Sequence, residues 1–381
     1  MASTAPTVPS RLRAIDGLRA VAAMSVLVYH AWLYTLPTVS SARRQGTVDY
    51  VLHEGRLGLV LFFVLSGFLL YGPWVRSAFT GSARPSTRAY ALRRAARIVP
   101  AYWIAIAASI VLLWRHDAVP GVRLPEPENL WLFAVFGQNF AKDTLLTLNP
   151  PSWTLAVEAT YYVALPLLGL LAVYGRRAGA IGAPLLLLAL GVGYNYALSG
   201  QAGLSPIVSK VLPAFAPYFA VGMLAAVAAH GRTLDRRAMW ALLAVGCLLV
   251  AGDAWWAADA ATRGSHDQSL RIWRDLPAAS GFALILLAVG AAHTPPRLLT
   301  ARPAVFVGEV SYGVYLWHVP VLLVLRAQDL LPLSTAGALV VVLPLTLLLA
   351  TASWRWIERP AQEWSRRVAA AGSARRAAAR L

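Results

Sequence analysis

Charge is scarce in this chain. Asp, Glu, Lys and Arg make up 13% of its 381 residues, and 58% are hydrophobic. A water-soluble domain carries about 25% charge, so a soluble globular enzyme is excluded. Cysteine is limited to Cys247, inside an apolar run. An internal disulfide framework is therefore excluded, and the redox compartment stays open. Lysine occurs only at Lys142 and Lys210. Acids are half as frequent as bases, 17 against 34. A cleaved signal peptide is not expected: the Pro/Ser/Thr-rich leader over 1–10, read as disordered, runs into Asp16 and Arg19, and no small-residue cleavage site follows the first apolar run.

Long apolar runs are what the chain has in abundance. Ten of them, near 18–36, 57–75, 98–114, 153–174, 180–198, 211–229, 239–257, 276–293, 305–326 and 335–354, approach the length needed to cross ~30 Å of hydrocarbon. The predicted fold class is thus all-α, a polytopic membrane bundle of about ten helices. A further run, Leu130 to Phe140, is too short to span and reads as re-entrant or interfacial.

The net charge of +17 would suit a nucleic-acid partner only if it formed a patch, and it does not. With the N-terminus inside, the inner loops carry 22 bases and 4 acids, and the outer loops 10 of each. That asymmetry is topological information, the positive-inside bias. It predicts cytoplasmic N- and C-termini, a lipid bilayer as the surroundings and no nucleic-acid partner. The segment 363–381 is expected to be a basic cytoplasmic tail, and 11–362 a single membrane domain.

Ionisable groups are costly inside a bilayer and mark sites by default. The first run holds Arg19 and, eleven residues on, His30. Eleven steps of ~100° make about three turns, so the two share a face ~16 Å apart. Residues 60–70, VLFFVLSGFLL, place Ser66 and Gly67 mid-span, as a helix-packing notch or a cavity lining. Residues 93–103, RRAARIVPAYW, put Arg94 and Arg97 on one face beside Arg93, a geometry suited to bidentate phosphate binding. Residues 151–162, PSWTLAVEATYY, carry Ser152, Trp153 and Glu158, and residues 308–320, GEVSYGVYLWHVP, carry Tyr315 and His318. Counted at ~1.5 Å per residue, His30, His318 and Glu158 share a depth in the outer half of the bilayer, and Arg19 and Glu309 share one near the inner face. Glu358, in WRWIERPAQ, reads as half of a structural pair with Arg355 or Arg359.

These motifs, in this order, resemble those of the acyltransferase 3 family: D-G-L-R with a histidine eleven after the arginine, FFVLSGFL, RxxRIxPxYW, SWxLxxE, SYxxYLWHxP and a terminal ERP. The resemblance covers about residues 11–362 and implies a bacterial integral-membrane O-acyltransferase, similar to O-antigen and peptidoglycan O-acetylases, glucan succinylases and macrolide O-acyltransferases. It carries the family's Arg–X10–His motif onto Arg19 and His30, its RxxR onto Arg94 and Arg97, and its Ser-Trp-Glu motif onto Ser152, Trp153 and Glu158. One departure is visible: Ala159 and Thr160 stand where a second acid or amide often follows the glutamate. The C-terminal esterase-like domain that some members add is not expected here.

The resulting expectation is transfer of an acetyl or similar short acyl group from acyl-CoA to a hydroxyl of a sugar, cell-envelope glycan or macrolide-like natural product, at the bacterial cytoplasmic membrane. Acyl-CoA is a co-substrate, acetyl-CoA in the simplest case, and no cofactor is held permanently. Arg94, Arg97 and Arg93 would take its phosphates. His30 would be the general base, Arg19 would hold the donor or organise Asp16, and Glu158 would orient His30 or bind the acceptor. Ser66, Ser152, Trp153, Tyr315 and His318 are the expected substrate contacts. Ser66 as an acyl-enzyme nucleophile is disfavoured for want of an adjacent base. No metal is expected, because the histidines lack ligand spacing. The competing class is a proton-coupled small-molecule transporter or flippase, against which the chain offers no internal inverted repeat.

Overall fold

The computed structural model describes residues 10–36, 46–114, 116, 121–199, 201, 204–262, 273 and 275–378. The long helices are α1 (Ser10–Thr35), α2 (Leu57–Thr80), α3 (Thr87–Leu113), α4 (Trp153–Tyr174), α5 (Arg176–Leu198), α6 (Leu212–Ala229), α7 (Arg236–Thr262), α8 (Leu276–Ala291), α9 (Arg302–Glu309), α10 (Ser311–Ala327), α11 (Thr335–Ser353) and α12 (Arg359–Ala378). Among the described residues there is no strand. Local chemistry sets the ends. Gly81, at φ 68°, closes α2 in the left-handed conformation that glycine adopts without a Cβ penalty. Ser86 and Ser334 accept hydrogen bonds from Ala89 N and Gly337 N at the starts of α3 and α11.

Among the described residues, seven helical segments are long and apolar enough to cross a membrane, and α9 with α10 would make an eighth if counted as one span. The chain is a multi-pass membrane protein. The two remaining expected runs fall on α1, which carries Arg19 and His30, and on α8, whose 16 residues reach only ~24 Å. The outer surface has the character that lipid requires: Val163, Leu167 and Leu171, one turn apart on α4, are each at least half exposed.

The expected single span over 305–326 is instead two helices bent by 70° at Val310. The cause is packing against α1. A Cβ on Gly308 would stand 1.9 Å from the Asp16 carbonyl oxygen, and one on Gly17 2.2 Å from that of Leu299. With α9 pressed so tightly across α1, the chain turns at Val310 and begins α10 afresh at Ser311. The run Leu130 to Phe140 forms no spanning helix. It is a short helix, Trp131–Ala134, between 3-10 turns, part of a folded loop over 121–152. Buried amides tie that loop to the bundle: Asn139 Nδ2 donates to the carbonyls of Trp153 and Lys210 at 2.7 and 2.6 Å, and Asn149 Nδ2 to that of Leu316 at 3.1 Å. The leader 1–9 and the last residues, 379–381, lie outside the described residues. α12 carries the expected tail segment as helix to Ala378.

Candidate active site

Two cavities lie end to end along α1. The larger, about 620 Å³, opens beside loop 121–152 and is lined by His30, Tyr34, Trp153, Phe215 and Tyr218. The smaller, about 290 Å³, is lined by Arg19, Ser66, Arg94, Arg97, Glu158 and Tyr162. Leu59, Phe63, Thr154 and Tyr315 line both. Tyr315 Oη lies 2.6 Å from Thr154 Oγ1 and donates to the Pro151 carbonyl at 3.0 Å, so a hydrogen-bonded pair and the side chains of Leu59 and Phe63 stand between the chambers. Arg19 and His30 share the α1 face expected of them and serve different chambers.

The larger chamber centres on two histidines. His30 Nδ1 lies 2.9 Å from the Val26 carbonyl and 3.1 Å from His318 Nε2. His318 Nδ1 lies 3.0 Å from the Val314 carbonyl. Each carbonyl sits one turn back on its own helix and can only accept, so it selects the Nδ1–H tautomer in both rings. Two consequences follow. His318 Nε2 is left as an acceptor that shares the one His30 Nδ1–H with the Val26 carbonyl, and His30 Nε2 has no hydrogen-bond partner among the described residues. His318 is wholly buried and lines neither cavity. Where the sequence reading had it touch substrate, the structure sets it behind His30.

The smaller chamber gathers charge. Three guanidiniums, from Arg19, Arg94 and Arg97, line it against one carboxylate, Glu158. Arg19 pairs with Asp16 at 3.4 Å. Among the described residues Arg94 and Arg97 have no ion pair within 4.0 Å, and Arg94 Nε is buried without a hydrogen-bond partner. Ser311, at the N-terminus of α10, also lines this chamber, with its hydroxyl buried and unpartnered. Unpaired guanidiniums at a helix N-terminus are what binds phosphate or another anion.

Several placements correct the sequence reading. Glu158 does not meet His30. Its carboxylate accepts a short hydrogen bond from Ser66 Oγ in the smaller chamber. Depth along a helix says nothing about which cavity a side chain enters: Thr154, one turn earlier on α4, stands at the wall, and Glu158 lies ~6 Å further along the helix, beyond it. The same contact supplies the base that Ser66 was expected to lack. Arg93 is exposed and lines neither chamber, because the helix turns it ~100° from Arg94. Ser152 is buried, its carbonyl accepting from Gln138 Nε2 at 2.9 Å, and it supports the loop without touching a chamber. Trp153 does line the larger one, with the Lys210 ammonium 3.8 Å from its ring centroid. Ser66 and Gly67 divide the two roles proposed for them: Ser66 lines the cavity, while a Cβ on Gly67 would stand 2.2 Å from the Phe219 carbonyl.

Sequence reasoning also missed residues. Glu358 pairs with neither Arg355 nor Arg359. It is buried on a π turn, Trp354–Glu358, accepts from Ser353 Oγ at 3.1 Å and lies in the field of Arg97 and Arg19, while Arg359 pairs with Glu363 at 2.9 Å. The signal lies in the structure and not in the sequence: a π turn inside a long helix often marks a functional position. Thr154, Tyr162 and Tyr312, whose hydroxyl donates to the Ile98 carbonyl at 2.9 Å, also carried no separate expectation.

The family profile for an acyltransferase domain matches residues 12–355. The chain belongs to the acyltransferase 3 family. The enzyme is therefore an acyltransferase of the kind that moves groups other than aminoacyl groups. It is 27% identical over 379 residues to nodulation protein 10 of Rhizobium leguminosarum bv. viciae, covering 91% of this chain and 92% of that one. It is 22% identical over 395 residues to the O-acetyltransferase OatA of Staphylococcus aureus, covering 92% of this chain and 57% of the relative. To the putative peptidoglycan O-acetyltransferase YrhL of Bacillus subtilis it is 23% identical over 375 residues, covering 91% and 54%. The chain thus spans just over half the length of these last two. No solved structure matches it.

Proposed function

We propose that the enzyme transfers a short acyl group, acetyl in the simplest case, from acyl-CoA to a hydroxyl of a glycan or similar acceptor, with the smaller chamber as donor site and the larger as acceptor site. The observation that carries this reading is the abutment of an arginine-lined chamber and a histidine-lined chamber that share Leu59, Phe63, Thr154 and Tyr315 as lining. Relatives named as O-acetyltransferases, one of them a putative enzyme of peptidoglycan, support the acceptor class. The excess of bases in the loops at the donor end supports a cytoplasmic donor, both termini inside and about ten crossings, including the short α8 and the polar α1.

The residues divide the work as follows. Arg94 and Arg97 take the donor's phosphates, helped by the N-terminus of α10, and Arg19 is held toward them by Asp16. The thioester extends to the wall. His30 Nε2 removes the proton from the acceptor hydroxyl as its oxygen attacks the thioester carbonyl. The acyl–oxygen bond forms, the acyl–sulfur bond breaks, and the proton passes from His30 to the departing CoA thiolate. His318 Nε2 accepts from the His30 Nδ1–H throughout, which steadies the transient imidazolium.

One observation favours a second reading. The Ser66–Glu158 hydrogen bond pairs a hydroxyl with a carboxylate base, the arrangement of an activated nucleophile. Purified enzyme incubated with labelled acetyl-CoA separates the possibilities. Direct transfer gives labelled acceptor and no labelled protein. A label on Ser66 without acceptor, found by peptide mass spectrometry and lost in Ser66→Ala, would replace direct transfer with an acyl-enzyme. Labelled acetyl-CoA left intact, beside movement of an acceptor across sealed vesicles, would replace catalysis with transport.

A further inference from the structure

The walls of the larger chamber carry a feature that acyl transfer alone does not require. Besides His30 it is lined by four cations, Arg56, Arg123, Lys210 and Arg326, and by one acid, Asp275. Arg56 is neutralised in place, bonded to Glu54 and Asp275 at 2.8 Å each. Lys210 sits over Trp153. The other two are different. Arg123 is exposed, and among the described residues its side chain has no hydrogen bond or ion pair. Arg326 spends one N–H on the Tyr34 carbonyl at 2.9 Å, and its guanidinium stands beside Gly121, two residues from Arg123. A guanidinium has five donors in a planar fork, so both side chains bring unused donors to the lining of this cavity.

The distribution of charge sharpens the point. The loops 37–56, 115–152, 199–210 and 258–275, which border this end of the bundle, hold four basic residues among the described ones: Arg56, Arg123, Lys142 and Lys210. Of the ten basic residues that these loops hold in the full sequence, Arg56, Arg123 and Lys210 line this one chamber. Bases at the end opposite a basic cytoplasmic face run against the positive-inside bias, so their convergence on a cavity calls for a ligand. The remaining wall mixes aliphatic side chains with the rings of Tyr29, Tyr34, Trp153, Phe215 and Tyr218, which suit the apolar faces of a sugar.

We infer that the acceptor chamber recognises an anionic sugar, whose carboxylate or phosphate monoester sits between Arg123 and Arg326 while its hydroxyl reaches His30. The inference rests on the acceptor-site reading above. It also disfavours an acceptor bearing a protonated amino sugar, which would meet like charge at the same place.

The test is binding, so that it stands whether or not transfer is seen. Full-length enzyme in nanodiscs is titrated calorimetrically with three matched probes: an alkyl glucoside, the alkyl glucuronide and the alkyl glucoside phosphate. The expected result is at least about tenfold tighter binding of one or both anions than of the neutral probe, as a charge-assisted hydrogen bond implies. Preference for the phosphate alone names a phosphate monoester, and for the glucuronide alone a carboxylate. Arg123→Glu, on an exposed side chain, should abolish that preference, and Arg326→Gln should reduce it about tenfold. Equal affinity for all three probes, or variants that weaken all three alike, overturns the inference. Anion-selective binding lost in Arg123→Glu, with no acyl transfer to any probe, would leave it standing and remove the transfer reading instead.

Discussion

At the scale of single residues, the chemistry divides between a histidine pair and an arginine cluster. His30 keeps a free Nε2 because Val26 and His318 occupy its other nitrogen. His30→Ala should therefore lower turnover by about 10²–10⁴-fold without changing the melting profile in detergent. His318→Ala should cost less, since His318 only receives the Nδ1–H, and should act on kcat more than on the acceptor KM. Equal losses in the two variants would mean that both touch the reacting atoms. The arginines predict a different pattern. Arg94→Lys and Arg97→Lys should each raise the KM for acyl-CoA, because a point charge lacks the bidentate fork, and the acceptor KM should stay put. An unchanged donor KM in both would reassign these side chains to anchoring. Arg19 and His30 were legible in the sequence as ionisable groups out of place in an apolar run, and Arg94 and Arg97 as an i, i+3 pair at the entry of the next one. The partner of Glu158 was not, because Ser66 lies 92 residues away and only packing brings the two together.

At the scale of elements, close helix contacts decide where the site residues point. α2 and α6 approach through reciprocal glycines: a Cβ on Gly67 would meet the Phe219 carbonyl at 2.2 Å, and one on Gly222 the Val64 carbonyl at 2.1 Å. Small residues permit such approach in a bilayer, and here they turn Ser66 into the smaller chamber. Gly67→Ala should thus destabilise by about 1–3 kcal/mol, because backbone cannot move aside as a flexible side chain can. Gly72, with nothing within 4 Å of a built Cβ, is the internal control, and Gly72→Ala should be neutral or slightly stabilising. Thermal unfolding of both variants in the same detergent checks this, and equal melting temperatures would contradict it. The break between α9 and α10 belongs to this scale too. The apolar run reads continuously from Val305 to Arg326, so periodicity predicts one span. The bend comes from Gly308 against Asp16, a contact between segments far apart in sequence.

At the scale of the whole molecule, the open quantity is sidedness, which the proposed mechanism requires. With Cys247 replaced, single cysteines at Ser82, Ser199 and Ser373 report it. A membrane-impermeant maleimide added to intact cells should label only the cysteine introduced at Ser199. Labelling at position 373 and not at 199 would invert the bundle and put the arginine chamber on the outside. The basic-residue asymmetry motivates the expectation, and the irregular fold of Leu130 to Phe140 agrees with it, since a crossing there would reverse every later loop.

By itself, the sequence determined that this is a multi-pass helical membrane protein, where its helices fall, and which ionisable groups lie within them. These are local properties: hydrophobic run length, the 3.6-residue period and the cost of charge in hydrocarbon act on neighbouring residues. Tertiary structure decided what those groups do to one another. It set His318 behind His30, moved Glu158 to Ser66, excluded Arg93 and Ser152 from the chambers, and put Arg123 and Arg326 on the lining of one chamber. Each of these depends on the azimuth of one helix against another, which small-residue contacts and a bend at Val310 establish, and which no single segment encodes.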